Sequence, residues 1–450
     1  MLFQFIRYTQ PGWQFNLRPV TNHSFASCYV MEKDIEISFL DKRYQTKSAQ
    51  LADAGYRLWN SGVLLKSTQS EINRLHDLPQ PTLHDEYLFV HKYWGKPWAL
   101  FALFLRLLTF RNIFKECKAY HATRKTERMN PHANPIRQDL YEPFRSALIE
   151  SNPLVAVIIP TLNRYEYLKN VLHGLENQSY KNFEVIVIDQ SDSFQETFYD
   201  SYDLKIKLIR QEEKKLWTAR NNALKSTTAK WLLFFDDDSI IEPEWIEQHL
   251  KCIDFFDAQI SAGVSIATSG GKVQESYQYF RWADQFDSGN ALVCRTVFQQ
   301  IGLFDERFNG LRMGDAEFGF RAYISGIKSI SNPYAGRIHL KASRGGLRDM
   351  GSWDGFRPKN WFAPKPVPSV VYLFKKYFPS SLYRNSILIG IMLSNIPYRF
   401  KKNSRMLLLS IFLTIIQSPI LFIRYLRAKK IAKRIFSEAG NEKPKIVAPC

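Results

Sequence analysis

Three consecutive carboxylates, Asp236, Asp237 and Asp238, follow the apolar run Trp231-Leu-Leu-Phe-Phe, and no other group in the chain has a type and spacing that so clearly suits chemistry. Like charges a few ångströms apart repel and raise one another's pKa unless a cation neutralises them. A hard divalent cation such as Mg2+ or Mn2+ takes carboxylate oxygens on one side and phosphate oxygens on the other, so the cluster suits a diphosphate ligand. The plainer reading is that Asp238 or Ser239 caps a helix starting near Pro243-Glu244-Trp245. Polar residues after two other apolar runs favour the ligand reading: Thr161, Asn163 and Arg164 after Val155-Ala-Val-Ile-Ile, and Asp189 after Glu184-Val-Ile-Val-Ile.

The elements that must position these groups are legible from residue 154 onward, where short β-branched runs alternate with helical periodicity. That alternation marks βα units around a mainly parallel sheet. Residues 155–159 read as a buried strand closed by Pro160, and Leu168, Val171, Leu172 and Leu175 fall at i, i+3, i+4 and i+7 on one helix face. Strands are expected at 184–188, 206–209 and 231–235, with a helix over 217–226. Open α/β sheets bind ligands in the crevice at the carboxyl ends of their strands, which is where the polar residues stand.

The ordered set Pro160-Thr-Leu-Asn-Arg, Val185-Ile-Val-Ile-Asp, Ala219-Arg-Asn-Asn-Ala and Phe234-Phe-Asp-Asp-Asp resembles the family 2 glycosyltransferases of the GT-A fold. Asp287-Ser-Gly-Asn-Ala-Leu-Val-Cys-Arg and Ile301-Gly-Leu-Phe-Asp-Glu-Arg-Phe resemble that family's acceptor-side segment. Gly314-Asp-Ala-Glu-Phe-Gly-Phe-Arg stands in the place of its acidic motif, followed by His339 and Ser343. The resemblance covers residues 153–343. It implies an inverting single displacement in which Asp189 meets the nucleobase, Thr161, Asn163 and Arg164 lie beside the nucleoside, and Arg220 lies near the same pocket. Asp236 and Asp237 would then line the donor site, Asp238 would be the foremost metal ligand with Asp236, and His339 would complete the metal shell. Asp315 is the expected general base, at a helix start after the turn 310–314, with Glu317 in reserve. Two departures from the family pattern bear on recognition. Asp189-Gln-Ser-Asp192 lacks a second Asp just after the strand, leaving UDP and dTDP donors both open, and Gly314-Asp315 lacks the usual preceding Glu.

The net charge of +18 is local: residues 355–437 hold 16 Lys and Arg and no Asp or Glu. Two apolar stretches lie there, 386–396 and 406–423, the second flanked by Lys401, Lys402 and Arg405 and by Arg424, Arg427, Lys429 and Lys430. Eighteen residues at ~1.5 Å each only just reach across hydrocarbon, and Gln417 and Pro419 interrupt them, so an in-plane helix on anionic lipid is expected. Residues 87–115, acid-free and aromatic, read as a second contact of the same kind, with a helix interrupted by Arg106 and Arg111.

The five cysteines are far apart and show no metal-ligand or disulfide spacing, and the N-terminus lacks a signal-peptide pattern, so a reducing, cytoplasmic setting at the inner face of the cell membrane is expected. The expected organisation is an N-terminal region of unassigned fold (1–152), a GT-A-like α/β domain with a mainly parallel sheet flanked by helices (153–345), and a basic helical region (346–450). The expected function is metal-dependent transfer of a hexosyl or deoxyhexosyl group from a nucleotide sugar to a glycan or lipid-linked acceptor, without nucleic acid as a partner. A nucleotidyltransferase would also want paired Asp and a metal, but would leave Asp315 and His339 without a role. A non-catalytic protein that binds membranes or nucleic acid through its basic tail would leave the strand-end carboxylates unexplained.

Overall fold

The computed structural model describes residues 3–9, 23–24, 36–64, 67–68, 77–268, 273–283, 286–342, 346, 355–358, 360–378, 380–397, 400 and 403–437. Ser343, Lys401 and Lys402 lie outside them. The chain divides into two compact units, an α/β unit over residues 136–350 and a helical unit that brings residues 1–135 together with 351–438.

The α/β unit is a mixed sheet flanked by helices. Its strands are β1 (Val155–Thr161), β2 (Phe183–Asp189), β3 (Ile206–Arg210), β4 (Trp231–Phe235), β5 (Ser239–Ile241), β6 (Ile260–Ala267), β7 (Arg281–Trp282), β8 (Asn290–Cys294) and β9 (Ser329–His339). Their order is β3-β2-β1-β4-β8-β6-β9-β5, with β7 paired to β9. The first four are parallel, and β8 runs antiparallel to both β4 and β6. The chain moves outward from β1 to β3 and then returns to the other side of β1 for β4, so the strand order reverses between β1 and β4. This is the switch point at which open sheets hold ligands.

Local sequence explains these elements. All seven residues of β1 are buried, as a continuous apolar run in a parallel strand requires. Helix α1 (Tyr165–Glu176) turns Leu168, Val171, Leu172 and Leu175 fully inward, as their spacing predicts. Helix α2 (Leu216–Lys225) packs on β1 and β2, and α3 (Trp245–Phe255) packs on β9. Two further helices are α4 (Arg295–Ile301) and α5 (Gly314–Ile324). Pro160 does not close β1, which continues to Thr161. Pairing with β4 stops at Ile158↔Phe234, so on that side the ladder needs no N–H at residue 160. The stretch before β1 is tied down by Tyr141, buried against Phe255 and Phe280.

The helical unit holds helices Lys47–Asn60, Leu83–Tyr93, Lys96–Leu108 and Ile113–Thr123, and then Pro368–Tyr377, Ser380–Leu393, Ser404–Ile416 and Ser418–Ser437. A buried ionic network organises its first half. Lys92 Nζ donates to Asp41 and to both oxygens of Asp53 at 2.8 Å, and Asp53 also accepts from Tyr44, Tyr93 and Arg57. Arg106 does not interrupt its helix. It pairs with the buried Glu116 at 2.6 Å and lies over the Phe5 ring. The expected single helix over 406–423 is instead two helices bent by 77° at Gln417, immediately before Ser418-Pro419. Gln417 caps the first helix, and Pro419, which lacks an N–H, sits in the first turn of the second.

Candidate active site

The carboxyl ends of β1, β2 and β4 bring the sequence-marked residues together. Register pairs Thr161 with Asp189 across β1 and β2, and the chain leaves β4 directly into Asp236, Asp237 and Asp238. These three aspartates have three different environments. Asp237 turns inward, accepting from Thr161 Oγ1 at 2.8 Å and Arg164 Nη1 at 2.9 Å. Burial pushes its pKa up to about 6 although Arg164 opposes the shift. Asp236 is bridged by two guanidinium groups, Arg220 at 3.1 Å and Arg337 at 3.0 Å. Asp238 accepts from the backbone of Ala342 through Oδ2, and its Oδ1 stands 3.2 Å from His339 Nε2.

The helix-cap reading of this cluster fails. Helix α3 begins after Glu244 with no side-chain cap, and Ser239 opens β5. One ligand atom each from Asp236, Asp238 and His339 lies within 4.8 Å of the others, close enough for one ion to meet all three. The local charge balance fits a cation as well. Five carboxylates, Asp236, Asp237, Asp238, Asp287 and Asp315, face three guanidinium groups, Arg164, Arg220 and Arg337, among the described residues. One divalent ion would offset the repulsion among these carboxylates.

Arg337 carried no expectation, yet it is the most heavily bonded side chain of the site. It is 2% exposed and donates to Asp236, Ser239, Ser265 and Asp287. Burial opposes its charge, but Asp287 and Asp236 hold the guanidinium protonated above its ordinary range. A signal for it existed: Arg337 is two residues before His339 in one strand, so both project from the same sheet face. Gly289 is a companion requirement, since a Cβ there would stand 2.1 Å from Asp236 Oδ2.

Asp315 lies in the first turn of α5, after Met313 in the left-handed region at φ 75°. Met313 is the N-cap, so Asp315 is free of that task. Its Oδ1 accepts from the Ser288 hydroxyl, and burial raises its pKa against the opposing charge of Arg220. Gly314 brings the start of this helix onto Trp217, where a Cβ would stand 2.2 Å from the indole. Glu317 is fully buried and bonded to Arg321 at 3.0 Å.

The structure places the remaining site residues as follows. Asp189 is fully buried and accepts from Tyr165 at 2.6 Å, from Tyr199 at 2.8 Å and from the Ser191 N–H. Asn163, at φ 53°, exchanges hydrogen bonds with Asp192 and so ties the β1 loop to the β2 loop. Arg220 is 1% exposed, donates to the Ser288 carbonyl as well as to Asp236, and lies over Trp217.

Residues 156–312 match the family model described as Glycosyl transferase family 2; the aspartate cluster and Ser288 fall inside the matched stretch, and Asp315, Arg337 and His339 lie beyond it. Glycosyltransferase AglE of Haloferax volcanii is 29% identical over 161 residues, covering 34% of this chain and 52% of the relative. Glycosyltransferase GlyA of Streptococcus pneumoniae is 32% identical over 113 residues, covering 24% of this chain and 16% of the relative. The chain therefore spans about half of the first relative's length and less of the second's. Among solved structures, the mannosyltransferase PcManGT of Pyrobaculum calidifontis in complex with GDP-Man and Mn2+ is 15% identical, with 68% of this chain and 93% of that chain covered at a TM-score of 0.42.

Proposed function

We propose that the chain transfers a sugar from a nucleotide-sugar donor of UDP or dTDP type to a hydroxyl of a glycan or lipid-linked acceptor, inverting the anomeric carbon and requiring Mg2+ or Mn2+. The observation that carries this reading is the Asp236, Asp238 and His339 set, whose two aspartates lie in the stretch that matches glycosyl transferase family 2 and whose histidine the fold brings to them from beyond it. When bound there, the cation would offset the charge that grows on the departing diphosphate. The nucleoside would lie over the ends of β1 and β2, against Thr161, Asn163, Arg164 and Asp189, with Asp237 holding Arg164 in place. Arg220 and Arg337 fix Asp236 from two sides, so its carboxylate is already oriented before donor arrives.

Asp315 is the base. Ser288 orients its carboxylate through Oδ1, leaving Oδ2 to take the proton from the acceptor hydroxyl as that oxygen bonds to C1. The raised pKa makes the carboxylate a stronger base than an exposed aspartate. We place the reaction on the cytoplasmic face of the cell membrane, a reading supported by the acid-free basic region at 355–437. The test is turnover of UDP- and dTDP-sugars with and without Mn2+. Metal-dependent release of nucleoside diphosphate, lost in Asp315→Asn, is expected, whereas release of sugar 1-phosphate, with the nucleoside monophosphate passed to an acceptor, would point to nucleotidyl transfer instead.

A further inference from the structure

The helical unit turns apolar side chains outward in helical register. On Lys96–Leu108, Leu100, Phe104 and Leu108 are exposed at four-residue spacing while Ala99, Ala102 and Leu103 face inward. On Ser404–Ile416, Leu408, Phe412, Ile415 and Ile416 form a second outward stripe. The inner faces of both helices meet on Ser380–Leu393 in one cluster, where Trp98, Phe101, Leu407 and Ile411 pack on Ile389, Met392 and Leu393. Two segments far apart in sequence are thus joined through their backs, and their outer stripes are uncovered among the described residues. Phe110 (97% exposed) and Phe114 (83% exposed) follow the first stripe, and Phe422, Ile423 and Leu426 continue beyond the bend after the second. Single exposed apolar residues need no explanation, but stripes of this extent mark an interaction surface.

We propose that this two-segment face is a monotopic docking surface for an anionic lipid bilayer. Charge complementarity selects the occupant. Exposed Lys96, Arg111, Lys115 and Arg405 border the stripes, and Arg427, Lys429, Lys430, Lys433 and Arg434 lie exposed after Leu426, with no acidic residue anywhere in 355–437. Apolar side chains entering the acyl boundary under a ring of cations is the pattern of interfacial binding. The pair Arg405–Ile416 and Ser418–Ile435 is long and apolar enough together, but its 77° bend suits lying in the interface better than a straight crossing. No single helix among the described residues is long and apolar enough to span a membrane, and Ser404–Ile416 has 13 residues. The proposal moves the contact from one in-plane C-terminal helix to a platform in which the 96–114 segment is an equal partner. It rests on the membrane placement proposed above and is independent of sugar transfer.

The test is co-sedimentation of the full chain with phosphatidylcholine vesicles, with and without phosphatidylglycerol. Binding only when phosphatidylglycerol is present is expected. Phe104→Ser with Phe110→Ser, Phe412→Ser with Ile416→Ser, and Arg427→Glu with Lys430→Glu should each weaken binding at least about tenfold, with an unchanged far-ultraviolet spectrum. Unaltered binding in the 104/110 pair would overturn the two-segment face, and unaltered binding in all three would overturn lipid docking there. A lipid-free dimer that Phe412→Ser makes monomeric, without effect on vesicle binding, would assign the face to a second copy and overturn the proposal. Nucleotide-sugar turnover in solution is measured on the same variants, so a failed sugar-transfer reading and a failed docking reading are told apart.

Discussion

The two units handle charge and apolar surface in opposite ways. The helical unit closes its buried charges on themselves: Lys92, Asp41, Asp53, Arg57 and two tyrosines satisfy one another, as do Arg106 and Glu116. Its outside carries the apolar stripes. The α/β unit buries apolar strands continuously and collects its charges at one sheet edge, where Asp236, Asp238 and His339 lie within reach of one ion. A closed network of buried ions is scaffolding, whereas an open one that groups ligand atoms around a common point is a place for a ligand. The difference separates the part that holds chemistry from the part that meets surroundings.

Four perturbations can break or sharpen this contrast, and the largest falls on the open network. Asp315→Asn should lower turnover by about a hundredfold to ten-thousandfold while preserving donor affinity and thermal stability. In the wild type the raised pKa of Asp315 shifts the acidic limb of kcat/KM upward: the base is protonated and idle at low pH, and activity rises as pH passes through a value above the ordinary aspartate range. Loss of donor binding in the variant would instead make Asp315 part of the donor site.

Next come the two buried cations. Arg337→Met leaves Asp236 with Arg220 alone and takes the guanidinium from Asp287, and Lys92→Met leaves Asp41 with Arg43 and Asp53 with Arg57, so each should cost up to about 3 kcal/mol in denaturant unfolding, at the low end for a broken buried pair. Only Arg337→Met should also abolish metal-dependent nucleotide binding. Equal loss of binding in both would erase the distinction between scaffold and site.

A smaller effect is pH-dependent. Glu86 accepts from the backbone of Gln4 and Phe5, and burial pushes its pKa from 4.5 up to about 7. The folded state therefore keeps a proton that the unfolded chain has lost. The associated stability is complete below pH 4.5 and is lost as pH rises through about 7, on the order of 3 kcal/mol in all. Glu86→Gln should flatten that part of the stability profile, and an unchanged slope would locate the titration elsewhere. The smallest effect belongs to the outer stripes, where Phe104→Ser and Phe412→Ser should change unfolding free energy by no more than about 0.5 kcal/mol, since neither side chain fills a core. A large loss would show that the stripes are structural.

The sheet was the most legible part of the sequence because parallel strands buried on both faces leave continuous apolar runs, and β1, β2 and β4 lie where those runs stand, while the edge strand β3 is half-exposed and its run is broken by Lys207. Asp236 and Asp238 were legible as site candidates because they follow such a run, and His339 through the family resemblance alone. The pairing of Arg337 with Asp236 and Asp287 was not, since it depends on a crossing of β9 next to β6 and β5 that no local pattern specifies. The bend at Gln417 shows a similar limit, as composition revealed an apolar stretch but not its break. Residues 1–86 carry no motif because Asp41 and Asp53 meet Lys92 from separate elements, and only the fold brings them together.

The account turns on the open network holding a cation that in turn holds a diphosphate. Calorimetric titration of the wild type and Asp238→Asn with UDP and dTDP, with and without Mn2+, tests it most directly. Wild-type binding should require Mn2+ and vanish in Asp238→Asn, with the fold intact by circular dichroism. Equal binding by the two proteins, or wild-type binding indifferent to Mn2+, would contradict it.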